Sequence, residues 1–206
     1  MTAPSIHTDL LAYNFNLGTT RFAQRHAASN DTGFFSAIGQ SFMHELAREG
    51  DVLSAEVVFD SGGAIDLPDE EGRRPLHEAA YFGRTEMVSF LIANGAIMDA
   101  PIHPFGYTAL WFAVGQGNHA AARLLIAKGA DLGVNDMLSG QGLLHLAAAR
   151  GDMLMAGMLI AAGIDALAED RRGLTARDYA ARNNHHEIER VLLKVMEHHA
   201  KRAATA

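Results

Sequence analysis

Histidine is the main residue type in this 206-residue sequence that could do metal or acid–base chemistry, since there are 11 histidines and no cysteine. The segments His44-Glu45 and His77-Glu78 begin like a zinc-protease helix, in which a second histidine one turn later completes the metal site. Arg48 and Tyr81 stand at that later position. We therefore interpret both histidines as structural residues that hydrogen-bond to a neighbouring loop.

The pairs His185-His186 and His198-His199 are the other candidates for a transition-metal site. Adjacent residues of a helix point about 100° apart, so one pair does not chelate easily through both rings. No serine lies in a nucleophile elbow, and no glycine cluster forms a phosphate-binding loop. The sequence predicts no catalytic residue, no metal site and no cofactor. A histidine-dependent metal protein or enzyme is the disfavoured alternative.

Composition narrows the function classes further. Hydrophobic residues make up 49% of the chain and charged residues 20%, which is ordinary for a folded domain. The net charge of −7 opposes the counterion release that drives nucleic-acid binding, so we expect none. No stretch approaches the roughly 20 apolar residues of a membrane span, and Met1 to Leu17 lacks a secretion-signal pattern. We expect a cytoplasmic protein that does not bind membranes.

Glycines recur through the chain in two registers. The first register has intervals of 33, 34, 34 and 33 residues, and the second, which ends on an asparagine, reproduces the same intervals. The first consists of Gly39, Gly72, Gly106, Gly140 and Gly173, and the second of Gly50, Gly83, Gly117, Gly151 and Asn184. Agreement over five copies predicts a repeat architecture.

Each copy carries the signals of two short helices. In the third copy Thr108 is a candidate N-cap, and Gly117 can end the helix because glycine adopts a left-handed conformation at little cost. Asn184 suits the same role in the last copy. A second apolar stretch follows each glycine, for example Leu124 to Ile126. Such short helices are unstable alone, so they must pack against neighbouring copies.

The segment Arg74-Pro75-Leu76-His77-Glu78-Ala79-Ala80 resembles the ankyrin signature T-P-L-H-x-A. Looser copies run from Ser41 to Ala47 and from Gly142 to Ala148, and Lys128 to Asp131 matches the close of the second helix. The resemblance covers about residues 36–195. It implies an all-α ankyrin-repeat solenoid of about five helix-turn-helix repeats with short finger turns, whose role is to bind another protein.

Several positions depart from the ankyrin pattern. Trp111 stands at the histidine position, and Arg74 and Gly142 replace the N-cap threonine. The last copy has Arg177 and Asp178 at the leucine and histidine positions. Polar residues at core positions are typical of a terminal repeat whose outer side meets water.

We predict three segments along the chain. Residues 1–35 form an N-terminal cap or extension, with a helix over Thr20 to Ala28, and residues 196–206 form a C-terminal tail. The repeats occupy about 36–69, 70–102, 103–137, 138–170 and 171–195. The last contains an extended capping helix, indicated by the apolar spacing of Ile188, Val191, Leu192 and Val195. Because both ends are capped, we expect a monomer.

The resemblance also implies a recognition surface, on the concave side of the solenoid. It would comprise the finger turns and the variable positions of each first helix, and it would be acidic at one end, aromatic in the middle and basic at the other. Its candidate partner-binding residues are Glu70, Glu71, Glu78, Tyr81, Phe82, Phe105, Tyr107, Phe112, Met137, Leu138, Leu146, Arg150, Arg171, Arg172, Tyr179 and Arg182.

Interface hot spots favour aromatic side chains in a desolvated centre, so Phe105, Tyr107 and Phe112 are the candidate anchors. The sequence thus predicts a non-enzymatic protein–protein interaction module that acts as an adaptor or inhibitor. An immunity- or antitoxin-type inhibitor of a toxin or enzyme is an alternative within that class. An exported effector stays open as well.

Overall fold

The computed structural model describes residues 42–60 and 62–203. Over these residues the chain is all-α, with paired helices joined by tight turns. The pairs are α1 (42–49) with α2 (Val52–Asp60), α3 (Pro75–Tyr81) with α4 (Thr85–Ala93), α5 (Ala109–Gln116) with α6 (His119–Ala127), α7 (Leu143–Arg150) with α8 (Met153–Ala161), and α9 (Ala176–Arg182) with α10 (His186–Ala203). The N-terminal segment 1–35, with its predicted helix, lies outside the described residues.

The third pair shows how local sequence sets the helix ends. Thr108 is extended, with a φ of −102°, and its hydroxyl accepts a hydrogen bond from the Trp111 amide at 3.4 Å. Gly117 ends α5 in the left-handed region, with a φ of 76°, and its amide donates to the Val114 carbonyl at 3.1 Å. Asn184 takes the same conformation after α9, with a φ of 61°. The predicted caps are therefore confirmed.

The core is one continuous apolar seam between successive pairs. On the first helices it is built from a large residue and small neighbours, such as Leu110 and Ala113, which are both fully buried. The second helices contribute Met87, Leu91, Leu125, Met155 and Leu159. The first helices stack on one another more extensively than the second helices do, so the stack curves with the first helices on its concave face.

The last helix closes this seam. Ile188 and Leu192 of α10 are 2% and 1% exposed, which confirms the predicted capping helix. Val191 instead lies at the edge of the apolar stripe and is 39% exposed. The helix also runs on to Ala203, across the predicted boundary at residue 196 between the last repeat and the tail. No proline or glycine follows Val195 to stop the helix, which is why it continues.

Three of the first helices are each tied to the next finger by a histidine. The His77 Nδ1 accepts a hydrogen bond from the Arg74 amide at 2.8 Å, and its Nε2 donates to the Ala100 carbonyl at 2.8 Å. His145 repeats this with the Gly142 amide and the Leu174 carbonyl, both at 3.0 Å. His44 Nε2 lies 2.8 Å from the Arg73 carbonyl. The structural interpretation of these histidines is confirmed.

This network requires a neutral imidazole, because one ring nitrogen accepts while the other donates. Burial lowers the pKa of His77 to about 4, and it also lowers the pKa of His145. Protonation of His77 would place an N–H against the Arg74 amide and break the helix cap. The repeat junctions are therefore sensitive to acid.

The first prediction concerns the seam. Leu125→Ala should lower the free energy of unfolding by about 2–5 kcal/mol, because it leaves a cavity at a fully buried site. Leu154→Ala, on the neighbouring outer helix at a position that is 53% exposed, should cost less than about 0.5 kcal/mol. Urea unfolding followed by circular dichroism measures both. Equal losses would show that the seam has been misplaced.

The second prediction concerns His77. As the pH falls below about 6.5, the unfolded chain takes up a proton at this position that the folded chain refuses until about pH 4, so stability declines across that window. The contribution is at most about 3 kcal/mol. His77→Gln should be less stable at pH 7, and its stability should fall less between pH 6.5 and 4.5. Parallel curves for the two proteins in urea titrations would contradict this assignment.

Candidate protein-interaction surface

The concave face presents three rows of equivalent positions from successive first helices. The first row consists of Glu78, Phe112, Leu146 and Tyr179, the second of Tyr81, Gly115, Ala149 and Arg182, and the third of Phe82, Gln116, Arg150 and Asn183. The finger turns before these helices form one edge of the face. Each of the last three fingers is closed by a single antiparallel bridge, for example between Ile102 and Tyr107. The predicted site residues on these helices therefore share one face.

Six rings form a continuous aromatic chain across the second and third repeats. Tyr81 lies 5.0 Å from Phe82 and 5.9 Å from Phe112, measured between ring centroids. Tyr107 lies 6.0 Å from Phe112, 5.2 Å from Phe105 and 4.9 Å from Trp111. All these distances fall in the range in which aromatic pairs attract. The predicted aromatic middle is thus a single packed cluster, which we call the aromatic chain.

The members of the aromatic chain have different exposures. Tyr81 and Phe82 are each 40% exposed and Phe105 is 38% exposed, whereas Phe112 and Tyr107 are half-buried. Tyr107 stacks between Phe105 and Trp111, and burial and the adjacent Asp136 carboxylate raise the pKa of its hydroxyl. It serves as the packing centre of the cluster. The more accessible rings are at its two ends.

Trp111 belongs to the aromatic chain although the sequence analysis did not include it among the site residues. It is 7% exposed, so the ring is buried, and Tyr107 covers its flat face at an interplanar angle of 7°. The two residues are four positions apart across the helix start. That spacing, together with the unusual aromatic residue at a histidine position, was the signal available in the sequence.

The finger tips continue the apolar surface. Met137 and Leu138 are 57% and 62% exposed, and the Met137 amide donates to the Phe105 carbonyl at 2.9 Å. Asp136 holds this turn by accepting from the Leu138 amide and the Ser139 hydroxyl, both at 2.8 Å. Phe105, Met137 and Leu138 therefore sit on adjacent fingers beside the aromatic chain.

Glu78, one of the predicted partner-binding residues, is buried rather than exposed. It is only 5% exposed and forms ion pairs of 3.4 Å with Arg48 and with Arg73. Arg73 also pairs with Asp69 at 3.1 Å and Glu71 at 3.0 Å. Glu78 lies in a pocket of about 310 Å³ whose other lining residues are Arg48, Arg73, His77, Tyr81, Phe82 and Phe112.

Tyr179, another predicted partner-binding residue, is also buried, since it is 9% exposed and its hydroxyl donates to the Asp170 carboxylate at 2.7 Å. Burial by itself would raise the pKa of Asp170, but hydrogen bonds from the Leu174 amide, Tyr179 and Arg172 hold that pKa well below its usual range. Arg172 also contacts the Tyr179 hydroxyl. Arg172 and Tyr179 thus stabilise the last finger.

His185 and His186 have structural or surface positions. His185 Nε2 lies 3.2 Å from the Ala149 carbonyl, and His186 Nδ1 lies 3.5 Å from Glu189. The side chains of His198 and His199 lie outside the described residues. In residues 42–60 and 62–203, no group of three or more His, Asp or Glu side chains is placed to hold a metal ion. Nor is any helix in that part of the chain long and apolar enough to cross a membrane.

The family model for ankyrin repeats matches residues 43–136 with three copies. The chain contains ankyrin repeats. It is 36% identical over 132 residues to an ankyrin repeat-containing protein of Treponema pallidum, which is 64% of this chain and 44% of that protein. It is 34% identical over 87 residues to human ankyrin repeat and SOCS box protein 3, which is 41% of this chain and 17% of the relative.

A third ankyrin-containing relative is named palmitoyltransferase Hip14, from Drosophila melanogaster, with 33% identity over 92 residues and 14% of its length covered. The chain thus spans less than half the length of these three relatives. What they share with it is the ankyrin region, and that repeat is in general a non-catalytic domain. The ankyrin repeats of the chain accordingly indicate a protein–protein interaction module.

The third prediction concerns the packing of this ankyrin face. Trp111 is the only tryptophan, so its fluorescence reports on the aromatic chain directly. Tyr107→Ala should shift the emission to longer wavelength and lower stability by about 1–3 kcal/mol, because it uncovers the indole and removes two stacking contacts. Phe82→Ala is the matched control, because it does not touch Trp111. An unchanged emission in Tyr107→Ala would contradict the stacked arrangement.

Proposed function

We propose that this ankyrin-repeat protein binds a partner protein through its concave face and acts in the cytoplasm as an adaptor or inhibitor, without catalysing a reaction. The observation that carries the proposal is the exposed part of the aromatic chain. Tyr81, Phe82 and Phe105 present rings that are about 40% exposed, and they continue into Met137 and Leu138 on the fingers. Contiguous apolar surface of this kind marks interaction sites.

The rigidity of these rings favours binding. Each exposed ring rests on another ring, so Tyr81 is supported by Phe112 and Phe105 by Tyr107. Little side-chain entropy remains to be lost when a partner covers them. Aromatic side chains held in this way are typical hot-spot residues. The exposed polar residue Gln116 lies beside them in the third row.

The use of the titratable groups favours binding over catalysis. Both ring nitrogens of His77 and of His145 are hydrogen-bonded to backbone groups. Glu78 and Asp170 form ion pairs with arginines. A general acid or base needs a free lone pair or proton at the substrate. These groups stabilise the repeat junctions instead.

The fourth prediction tests this function. A photo-crosslinking residue placed at Phe82 should capture one partner in the native cell, which mass spectrometry then identifies. Phe82→Ala and Phe105→Ala should each raise the Kd for that purified partner by about 30-fold, equivalent to about 2 kcal/mol. Leu154→Ala, which removes an exposed leucine from an outer helix, is the control and should leave the Kd unchanged.

Equal weakening by all three variants, or by none, would contradict binding through the concave face. The activity of the captured partner then separates the two roles. An inhibitor, including one of the immunity or antitoxin type, would abolish that activity at saturation, whereas an adaptor would leave it intact. Imaging of the tagged full chain tests the cytoplasmic location.

A further inference from the structure

The arginines near the concave face fall into two groups. At its N-terminal end three are neutralised within the chain: Arg48 pairs with Glu45 and Glu78, Arg73 with Asp69 and Glu71, and Arg74 with Asp66 at 2.9 Å. Arg84, at the start of α4, instead donates to the Arg48 carbonyl at 2.9 Å. At the C-terminal end Arg150, Arg171 and Arg182 are exposed, and none forms an ion pair within 4.0 Å among the described side chains.

Two of these cations lie next to the apolar surface, and Arg182 lies one repeat further along the concave face. Arg150 ends α7, and its Nη2 donates to the Gln116 carbonyl at 3.3 Å, so the guanidinium reaches back to the helix that carries Phe112. Arg171 is bonded through its amide to the Ser139 carbonyl at 2.9 Å, on the finger that carries Met137 and Leu138. Arg182 ends α9, which packs on α7.

The space between the rings and the cations is open. In the second row the small residues Gly115 and Ala149 lie between Tyr81 and Arg182. A Cβ added at Gly115 would meet only Leu146 Cδ1, at 4.0 Å. A chain segment can therefore lie across these positions with one side chain against the rings and the next ones near the arginines.

The stability of the fold does not explain why Arg150, Arg171 and Arg182 lack an ion-pair partner. The C-terminal ends of α7 and α9 favour a cation, but by only about 0.3–1 kcal/mol at an exposed site. Asp178 lies one turn before Arg182, and its pKa is lowered chiefly by hydrogen bonds from Thr175, with a smaller effect of the Arg182 charge. That carboxylate is already bonded to the Thr175 amide at 2.9 Å and its hydroxyl at 2.8 Å.

We propose that the partner presents an acidic segment, in which apolar or aromatic side chains pack against Tyr81 and Phe82 or against Phe105, and carboxylates pair with Arg150, Arg171 and Arg182. This inference rests on the proposed binding function. Guanidinium groups bind carboxylates in a two-pronged geometry, and apolar surroundings strengthen each pair. The net charge of −7 and the neutralised arginines at the other end favour an acidic protein segment over a nucleic acid.

The test is selection of peptides from a displayed random 12-residue library on the full chain. Wild-type protein should enrich peptides that combine an aromatic or large apolar residue with two or more Asp or Glu residues. The double variant Arg150→Glu, Arg182→Glu should bind the best synthetic peptide at least tenfold more weakly. The control Arg123→Glu, Arg190→Glu changes the net charge equally at exposed positions of α6 and α10 and should bind like wild type.

Each other outcome overturns the proposal. These are enrichment without acidic residues, no enrichment, equal binding by the reversed variant, or preferential binding of a single-stranded oligonucleotide added as competitor. Urea unfolding measures the stability of each variant. If the charge-reversed double variant is unstable, the double variant Arg150→Gln, Arg182→Gln replaces it. Peptides that depend on Phe82 and Phe105 but not on the arginines would refute the acidic segment and leave the concave-face function standing.

Discussion

Short helices impose the main constraint on this molecule. Except for α10, each helix has seven to nine residues, which is too short to persist in water without a partner. Each repeat must therefore bury its inner side against the next, and Ala79, Ala113 and Ala147 are fully buried where the first helices stack. Exposed positions of the concave side, such as Tyr81, Phe82 and Gln116, are not needed for this packing. They can vary without loss of the fold.

The histidine network and the aromatic chain are two solutions to the same junction. In the second and fourth repeats a neutral histidine joins the helix cap to the next finger, which requires two hydrogen bonds in a dry environment. In the third repeat Trp111 stands in its place, and Tyr107 covers it by stacking. Tyr107 also stacks on Phe105, which is 38% exposed, so the packing of this junction continues to an aromatic ring at the surface. The proposed binding face is thus continuous with the packing of the third repeat.

The fold could be predicted from sequence because its signals are local. The Thr108 cap, the left-handed Gly117 and Asn184, and the histidine bonds all follow from residue type within one repeat. The site could be predicted only in outline. Glu78 is paired with Arg48, 30 residues away. No local sequence pattern indicates that these two charges will meet in the fold. Tyr179 is likewise buried through a contact outside its own helix, with Asp170 on the preceding finger.

The unpaired arginines lie at one end of the concave face, and this position would affect the rates of association and dissociation. Exposed, unpaired arginines act over about a Debye length of 8 Å at physiological salt, so they speed the encounter with an acidic partner and orient it. Rings that are held rigid act only on contact, and by excluding water they slow dissociation. With the cations in the last two repeats and the accessible rings in the second and third, the two effects are spatially separate. A partner would then meet the arginines first and dissociate slowly because of the rings. Contact with both groups requires the partner to span at least two repeats.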